Sequence, residues 1–211
     1  MLEVEGECLV KMAREAFDTY SKRFKIIHPT AECLSKLRER RGVFVRVARS
    51  QDFLWTKETK TLACLGYPRP SCELAIATID SAVACAVRVN LSDSLNVYDW
   101  GSLLFEVSVL TKPKLIKVEK PIDYPNEIEL GQDGLLIEQA FTSGLILPQV
   151  ALECNYDKTD LLGECCVKAG LLSDSWLTST RISVYKFQVE IFREEGADRK
   201  ATKVNTKISA S

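Results

Sequence analysis

Gly42-Val-Phe-Val-Arg-Val-Ala48 is the stretch of sequence that decides the fold. Its three valines alternate with Phe44 and Arg46, a pattern typical of a β-strand with one apolar side. Thr59 to Leu65 is predicted to be the antiparallel partner of this strand. The following segment, Gly66-Tyr-Pro-Arg-Pro70, contains one glycine and two prolines, so we expect a tight change of direction there. The two strands therefore predict an antiparallel sheet.

Helices are predicted from apolar residues that recur at spacings of three and four, and from capping and stop residues at the ends of these segments. The segment from Leu74 to Val89 is rich in alanine but contains Asp80 and Arg88. It is shorter than the roughly 20 apolar residues that span a membrane. We therefore expect a buried helix there, with Ser71 as its N-terminal cap. In the segment from Asp157 to Ala169, Gly170 is expected to end the helix. The helical segments are Glu7 to Phe24, Ala31 to Arg40, Leu74 to Val89 and Asp157 to Ala169.

Further strands are predicted where apolar and polar residues alternate. Leu103 to Leu110 is expected to be half-buried, and Arg181 to Phe192 to be one long final strand. Gly131-Gln-Asp-Gly134 is predicted as the turn of a hairpin between Glu127 to Leu130 and Leu135 to Phe141. Because short turns join neighbouring strands, we expect an α+β fold, mainly an antiparallel sheet with flanking helices, rather than a doubly wound parallel sheet.

The chain is predicted to form a single domain over residues 1–195, followed by a polar, flexible tail over residues 196–211. Two prolines in Lys120-Pro-Ile-Asp-Tyr-Pro125 resist both a helix and a central strand. This segment is the best place for a hinge near residues 112–126 between two unequal subdomains.

Charge and composition exclude several classes of function. The chain has 28 Lys and Arg against 29 Asp and Glu, so it has no long-range field that would draw it to nucleic acid or to an anionic membrane. The acidic N-terminus lacks a basic region followed by an apolar run, so no secretory signal is visible and we expect a cytoplasmic protein. Eight cysteines in 211 residues are too few for a disulfide-built scaffold, and reduced thiols are expected.

Cys64 is the strongest candidate for chemistry. It is predicted to end a strand just before Gly66, where backbone N–H groups could bind an oxyanion and favour a thiolate. The only histidine, His28, lies on an unrelated polar segment, so the sequence shows no base for a nucleophilic thiol. Burial as a small core residue is the alternative role for Cys64.

Other polar and thiol groups are weaker candidates. Glu106 falls on the polar side of its predicted strand, where it would act as an acid or base or would simply be solvated. Cys165 and Cys166 are adjacent on a helix, so their side chains diverge by about 100° and do not converge on one metal ion. The sequence therefore predicts neither a metal site nor a cofactor.

Six segments carry a resemblance to a known family: Gly42 to Val45, Thr61 to Pro68, Phe105 to Thr111, Gly131 to Glu138, Ser143 to Val150, and Cys166 to Leu171 with the following Trp176. In order and spacing they resemble the AMMECR-domain family, over the chain from about Gly6 to Phe192. The family signature is Leu-Arg-Gly-Cys-Ile-Gly, whose cysteine and last glycine correspond to Cys64 and Gly66. Leu62 stands in place of the arginine of that signature.

This resemblance implies an α+β fold in two unequal parts with a cleft between them, and an activity that is unsettled for the family as a whole. Relatives are often encoded beside a Memo-type protein, similar to extradiol dioxygenases, and a radical S-adenosylmethionine enzyme. The first hypothesis is therefore an accessory module that binds a small molecule or a protein and acts with these two partners. The second is an enzyme that uses Cys64, and in a third interpretation the signature glycines and prolines only fix the backbone. The candidate ligand-binding residues are Cys64, Gly66, Glu106, Ser143, Gln149, Cys166 and Trp176.

Overall fold

The computed structural model describes residues 3–49, 59–69, 72–91, 101–195 and 200–204. These residues form two compact units. The first unit combines the described part of Met1–Val109 with Glu190–Val204, and the second is Leu110–Val189. Each unit has its own sheet and its own apolar core, and neighbouring strands pair antiparallel. The predicted α+β fold is therefore confirmed.

The helices and strands are numbered in chain order. The helices are α1 (Glu3–Arg23), α2 (Ala31–Lys36), α3 (Leu74–Leu91), α4 (Pro148–Glu153), α5 (Lys158–Lys168) and α6 (Ser175–Thr178). The strands are β1 (Val43–Arg49), β2 (Lys60–Tyr67), β3 (Leu103–Leu110), β4 (Lys114–Leu115), β5 (Gly134–Gln139), β6 (Thr142–Ile146), β7 (Ser183–Phe187), β8 (Val189–Glu195) and β9 (Lys200–Val204). A 3-10 helix, Pro121–Glu127, lies between β4 and β5.

The first unit is built on a five-stranded sheet with the order β2-β1-β3-β8-β9. The alternating valines of β1 are fully buried and belong to one apolar core with residues of α1 and α3, as the sequence pattern predicts. The ring of Phe17 in α1 meets the ring of Phe105 in β3 edge to face, with 5.2 Å between centroids. One face of this sheet is therefore covered by α1 and α3.

The alanine-rich helix α3 is a core helix. Of the described helices it is the one that is long and apolar enough to cross a membrane, but more than half of its residues are buried inside the protein. Small side chains let its backbone approach α1 and the sheet closely. The buried alanines of α3 are Ala75, Ala77, Ala82 and Ala86.

The second unit is built on a four-stranded sheet with the order β4-β7-β5-β6, against which α5 packs. The Asp157 carboxylate accepts two backbone N–H groups at the start of α5, and Gly170 follows its end with a φ of 76°, as predicted. A Cβ atom at Gly144 would lie 2.3 Å from the carbonyl oxygen of Cys165. The absence of a side chain at Gly144 therefore allows β6 to lie directly against the backbone of α5.

The hairpin predicted around the Gly131–Gly134 segment is wrong. Asp133 Oδ2 accepts the N–H of Glu129 at 3.0 Å, and the N–H of Asp133 donates to the carbonyl of Glu129, so this segment is a turn that precedes β5. β5 pairs instead with β6, and the turn between them contains Ala140, with a φ of 53°, and the exposed Phe141. The sequence does not reveal this turn, because neither residue is a typical turn former.

The long final strand predicted for Arg181 to Phe192 is two strands, β7 and β8, in different sheets. The break lies at Gln188, whose N–H donates to the Thr111 hydroxyl oxygen at 2.9 Å and whose carbonyl accepts the Thr111 N–H at 2.8 Å. Alternation of apolar residues continues through the break. The local pattern therefore predicts one strand where a distant partner imposes two.

Four smaller predictions also differ from the structure. α2 ends at Lys36 rather than at Arg40, and β3 is buried along its whole length rather than on one face. The two prolines predicted to resist a helix lie in the 3-10 helix of the second unit, since a proline at the first helical position needs no N–H partner, whereas the hinge near residues 112–126 stays a prediction. Lys200–Val204, predicted as part of a flexible tail, forms β9 beside β8. The predicted cap Ser71 and residues 196–199 and 205–211 of the tail lie outside the described residues.

Candidate functional site

The register of three strands places Cys64, Arg46 and Glu106 in one line across the first-unit sheet. β1 pairs Arg46 with Cys64 of β2 on one side and with Glu106 of β3 on the other. Residues directly opposite each other in antiparallel strands share a face of the sheet, with Cβ atoms about 4.5–5.5 Å apart. Because the β1 valines point to α1 and α3, these three residues lie on the second face. We call them the Cys64–Arg46–Glu106 row.

Glu106 is a fully buried carboxylate that lies between two arginines. Arg193 Nε is 3.3 Å from Glu106 Oε2, and Arg46 Nη1 is 4.0 Å from Glu106 Oε1. Only 20% of the Arg193 side chain and 11% of the Arg46 side chain are exposed. A buried charge is costly unless it is paired, so the two guanidinium groups compensate the carboxylate.

Arg46 is positioned by neighbours on both sides of β1. Its Nε donates to the hydroxyl of Thr61 at 2.9 Å, and its Nη1 faces Glu106. Thr61 reaches this place because the register of β1 and β2 shifts between Val47 and Ala48, so that Thr61 pairs with Ala48. Thr61 and Glu106 therefore restrict the Arg46 side chain, which belongs to the residue directly opposite Cys64.

Cys64 lies within β2, not at its end, so the predicted strand end before Gly66 is wrong. Gly66 pairs with Phe44 and belongs to the same strand. A Cβ atom at Gly66 would lie 2.0 Å from the carbonyl oxygen of Val43, so glycine is required there by the close approach of β1. The Cys64 side chain is half-buried, and it is not sealed in the apolar core.

Four of the predicted ligand-binding residues lie in the second unit. Ser143 is exposed on β6 opposite Glu138, and Gln149 is a half-buried residue in the first turn of α4. Cys166 and Trp176 are buried in the second-unit core, where burial raises the pKa of the Cys166 thiol. The burial of these last two residues is what a packing role requires.

Three residues of the site were not among the sequence-based candidates: Arg46, Thr61 and Arg193. A charged residue in a valine-rich strand is a weak signal by itself, because one side of such a strand is commonly solvated. Arg193 lies just beyond the end of the predicted final strand. Only the strand register shows that these side chains meet Cys64 or Glu106.

The single histidine of the chain lies in a different part of the first unit. His28 lines a cavity of about 430 Å³ between α1 and α2, together with Cys8, Cys33 and other residues of these helices. Cys64 is not among the lining residues of that cavity. Within the described part of the chain, no three His, Cys, Asp or Glu side chains are grouped to hold a metal ion.

Comparison with known proteins shows what this chain is similar to. The AMMECR1 family model matches residues 10–192. A protein of Thermofilum pendens is 38% identical over 192 residues, which cover 90% of each chain, and Protein PH0010 of Pyrococcus horikoshii is 40% identical over 190 residues with the same coverage. The crystal structure of uncharacterized protein PH0010 matches with a TM-score of 0.85 at 38% identity, and covers 97% of this chain and 98% of that chain.

Proposed function

The chain belongs to the AMMECR1 family, and from this premise we propose that it is a cytoplasmic binding module, accessory to a Memo-type protein and a radical S-adenosylmethionine enzyme. The proposed contact surface is the Cys64–Arg46–Glu106 row. The two partners come from the family resemblance, and the surface comes from the register of β1. The observation that carries the proposal is a half-buried thiol on the residue directly opposite Arg46, whose guanidinium already donates to Thr61.

The chemistry of the row favours an anionic ligand group. A guanidinium matches the geometry of carboxylates and phosphates. Because Thr61 and Glu106 already position the Arg46 side chain, little side-chain entropy is lost when a ligand binds. We therefore expect the row to contact a carboxylate or phosphate group, carried by a small molecule or by a partner protein.

The two other residues of the Cys64–Arg46–Glu106 row are poor bases for Cys64. Arg46, its partner across the strands, stays protonated, and Glu106 is engaged between two arginines. His28 lines the cavity between α1 and α2 instead. A nucleophilic thiol usually needs a base within hydrogen-bond reach, and neither Arg46 nor the paired Glu106 is suited to that role, so the row supports binding more than catalysis.

A thiol enzyme is the second candidate function, and one observation favours it. A positive charge next to a cysteine favours the thiolate, which is the nucleophilic form. Arg46 provides such a charge on the same face as Cys64. In this alternative the guanidinium stabilises the thiolate, the thiol proton passes to solvent, and the Cys64 sulfur adds to an electrophilic ligand.

Alkylation of the native full-length chain with iodoacetamide near pH 7 distinguishes the two candidates. The exposed Cys154 is the internal reference, and peptide mapping reports each thiol separately. A binding module should alkylate at Cys64 no faster than at Cys154. In an enzyme, Cys64 should be alkylated about tenfold faster than Cys154, and Arg46→Gln should lower the Cys64 rate to that of Cys154.

Co-purification tests the proposed partners. A tagged chain, expressed in its own organism, should recover a Memo-type protein and a radical S-adenosylmethionine enzyme. Arg46→Gln should lose both partners. Arg88→Gln, which makes the same change on the exposed side of α3, should keep them. A native chain that recovers neither partner contradicts the accessory role.

A further inference from the structure

Two thiols of the first unit meet away from the Cys64–Arg46–Glu106 row. Cys8 lies on α1 and Cys33 on α2, 25 residues apart in the chain, and their Sγ atoms are 2.7 Å apart. A disulfide bond is about 2.05 Å long, so a shift of roughly 0.7 Å would bring the sulfurs to bonding distance. Small side-chain rotations supply a shift of that size.

Both thiols can be reached by small molecules. Each is half-buried, and both line the cavity of about 430 Å³ described above. Exposed side chains of Lys11, His28 and Lys36 also line this cavity, so it opens to solvent. A small oxidant therefore has a path to the sulfurs.

The helix that carries Cys33 is only partly packed against the core. None of its six residues is buried, although Leu34 packs against the core from the side and the next residue, Leu37, is buried in it. Its N-terminus is held by the Thr30 hydroxyl, which accepts the Cys33 N–H at 3.2 Å, and its exposed side carries an ion pair between Lys36 and Glu32. A covalent bond to α1 would therefore restrict α2 more than it would restrict a well-buried helix.

Two other thiols, one in each apolar core, donate hydrogen bonds to backbone carbonyl groups instead of contacting a second thiol. Cys85 donates to the carbonyl of Val45 at 3.2 Å, and Cys165 donates to the carbonyl of Gly144 at 3.2 Å. Both are buried, and burial raises the pKa of each thiol to about 12. These thiols are satisfied by backbone acceptors, whereas Cys8 and Cys33 contact each other.

We propose that Cys8 and Cys33 are a redox-active pair that closes to a disulfide and fastens α2 to α1, with a low-molecular-weight disulfide such as glutathione disulfide as the oxidant. The Cys33 sulfur attacks the oxidant and breaks its S–S bond, and one small thiol leaves with the proton from Cys33. Cys8 then displaces the second small thiol and forms the Cys8–Cys33 bond. The protein loses two electrons and two protons, and the oxidant gains them as two thiols.

The order of these steps follows from the surroundings of Cys8. Burial and the hydrogen bond with Cys33 raise the pKa of Cys8 to about 12, which disfavours Cys8 as the thiol that starts the exchange. We therefore place Cys8 second, since its sulfur lies 2.7 Å from the Cys33 sulfur that would carry the mixed disulfide. This proposal uses neither Cys64 nor Arg46 and does not depend on the proposed function.

Oxidation of the full chain with glutathione disulfide, followed by thiol counting and peptide mapping without reductant, tests the proposal. Cys8 and Cys33 should both be lost as free thiols, with a linked Cys8–Cys33 peptide and a Tm about 5–10 °C higher, whereas the exposed Cys154 forms only a mixed disulfide with the small thiol. Cys8→Ser and Cys33→Ala should each abolish the Tm increase, and circular dichroism checks that both variants fold. Cys154→Ser, at an exposed thiol, should keep the increase.

Three results would overturn the proposal. The first is a chain that keeps all eight thiols in the oxidant. The second is a linked peptide that joins other cysteines. The third is a stable mixed disulfide at Cys33 that Cys8 does not resolve.

Discussion

Arg14 of α1 holds Glu194 of β8 through two hydrogen bonds: Nε donates to Oε1 at 2.6 Å, and Nη2 donates to Oε2 at 2.5 Å. The same Nη2 donates to the carbonyl of Leu103 at 2.7 Å, and the guanidinium lies 4.5 Å from the centroid of the Phe105 ring. Glu194 Oε2 also accepts the N–H of Phe105 at 3.1 Å. This largely buried pair ties α1 to two strands of the first-unit sheet.

Glu194→Gln should destabilise the protein, because it leaves the Arg14 charge largely buried without its counter-charge. We expect the free energy of unfolding in urea to fall by about 3 kcal/mol. Glu32→Gln is the matched control, since its ion pair with Lys36 is exposed, and it should change stability much less. Equal effects of the two substitutions would contradict the structural role of the Arg14 pair.

Gly66→Ala should disturb the edge of the sheet that carries Cys64. The added Cβ atom would lie 2.0 Å from the carbonyl oxygen of Val43, so β1 and β2 must separate. The expected loss is about 1–3 kcal/mol of unfolding free energy, measured by urea denaturation. Gly101→Ala, whose added Cβ atom meets no atom of the described residues within 4 Å, serves as the control. A Gly66→Ala variant as stable as the Gly101→Ala variant would refute the close approach.

Asp157→Ala should weaken α5 by removing its capping box. The Asp157 carboxylate accepts the N–H groups of Thr159 and Asp160 at 2.7 Å each, and loss of such a cap costs about 1 kcal/mol. Asp174→Ala is the comparison, because Asp174 occupies the corresponding position of α6 without a side-chain cap bond. Thermal unfolding should show a lower Tm for the Asp157 variant only.

Acid should remove a stabilising contribution of Glu190. Burial acts to raise the pKa of Glu190, but hydrogen bonds from Lys203, at 2.8 Å, and Arg41, at 3.2 Å, outweigh it and lower the pKa from 4.5 to about 2. Because the folded pKa is the lower one, the contribution is complete above about pH 4.5 and is lost as the pH falls toward 2.

Glu190→Gln tests this pH dependence. The variant should be less stable than the native chain in urea at pH 6, and the difference should shrink as the pH falls from 4.5 to 2. A difference that stays constant over this range would show that the carboxylate charge contributes nothing.

Local signals explain which elements of the fold could be predicted. α5 was predicted because its cap at Asp157 and its stop at Gly170 are short-range features. The break at Gln188 depends on Thr111, 77 residues earlier in the chain, and the local alternation does not contain it. An element whose start and end signals lie in its own residues could therefore be predicted from the sequence, whereas a strand break imposed by a distant residue could not.

In the candidate site, too, single residues could be predicted from local sequence but their arrangement could not. Cys64 and Glu106 were selected one at a time, as a thiol and as a carboxylate of the right chemistry. Their common row depends on Arg46, which pairs with both through the register of three strands. Register is set by the hydrophobic pattern of whole strands and by bulges such as the shift between Val47 and Ala48, so no single motif predicts it.

Protection of Cys64 by a partner tests the central claim most directly. The native chain is alkylated with iodoacetamide alone and with a saturating amount of purified Memo-type protein, and Cys154 serves as the reference thiol. If the Cys64–Arg46–Glu106 row is the contact surface, the partner should slow alkylation of Cys64 at least fivefold and leave Cys154 unchanged. A partner that binds while Cys64 reacts at its original rate would contradict the assignment of this surface.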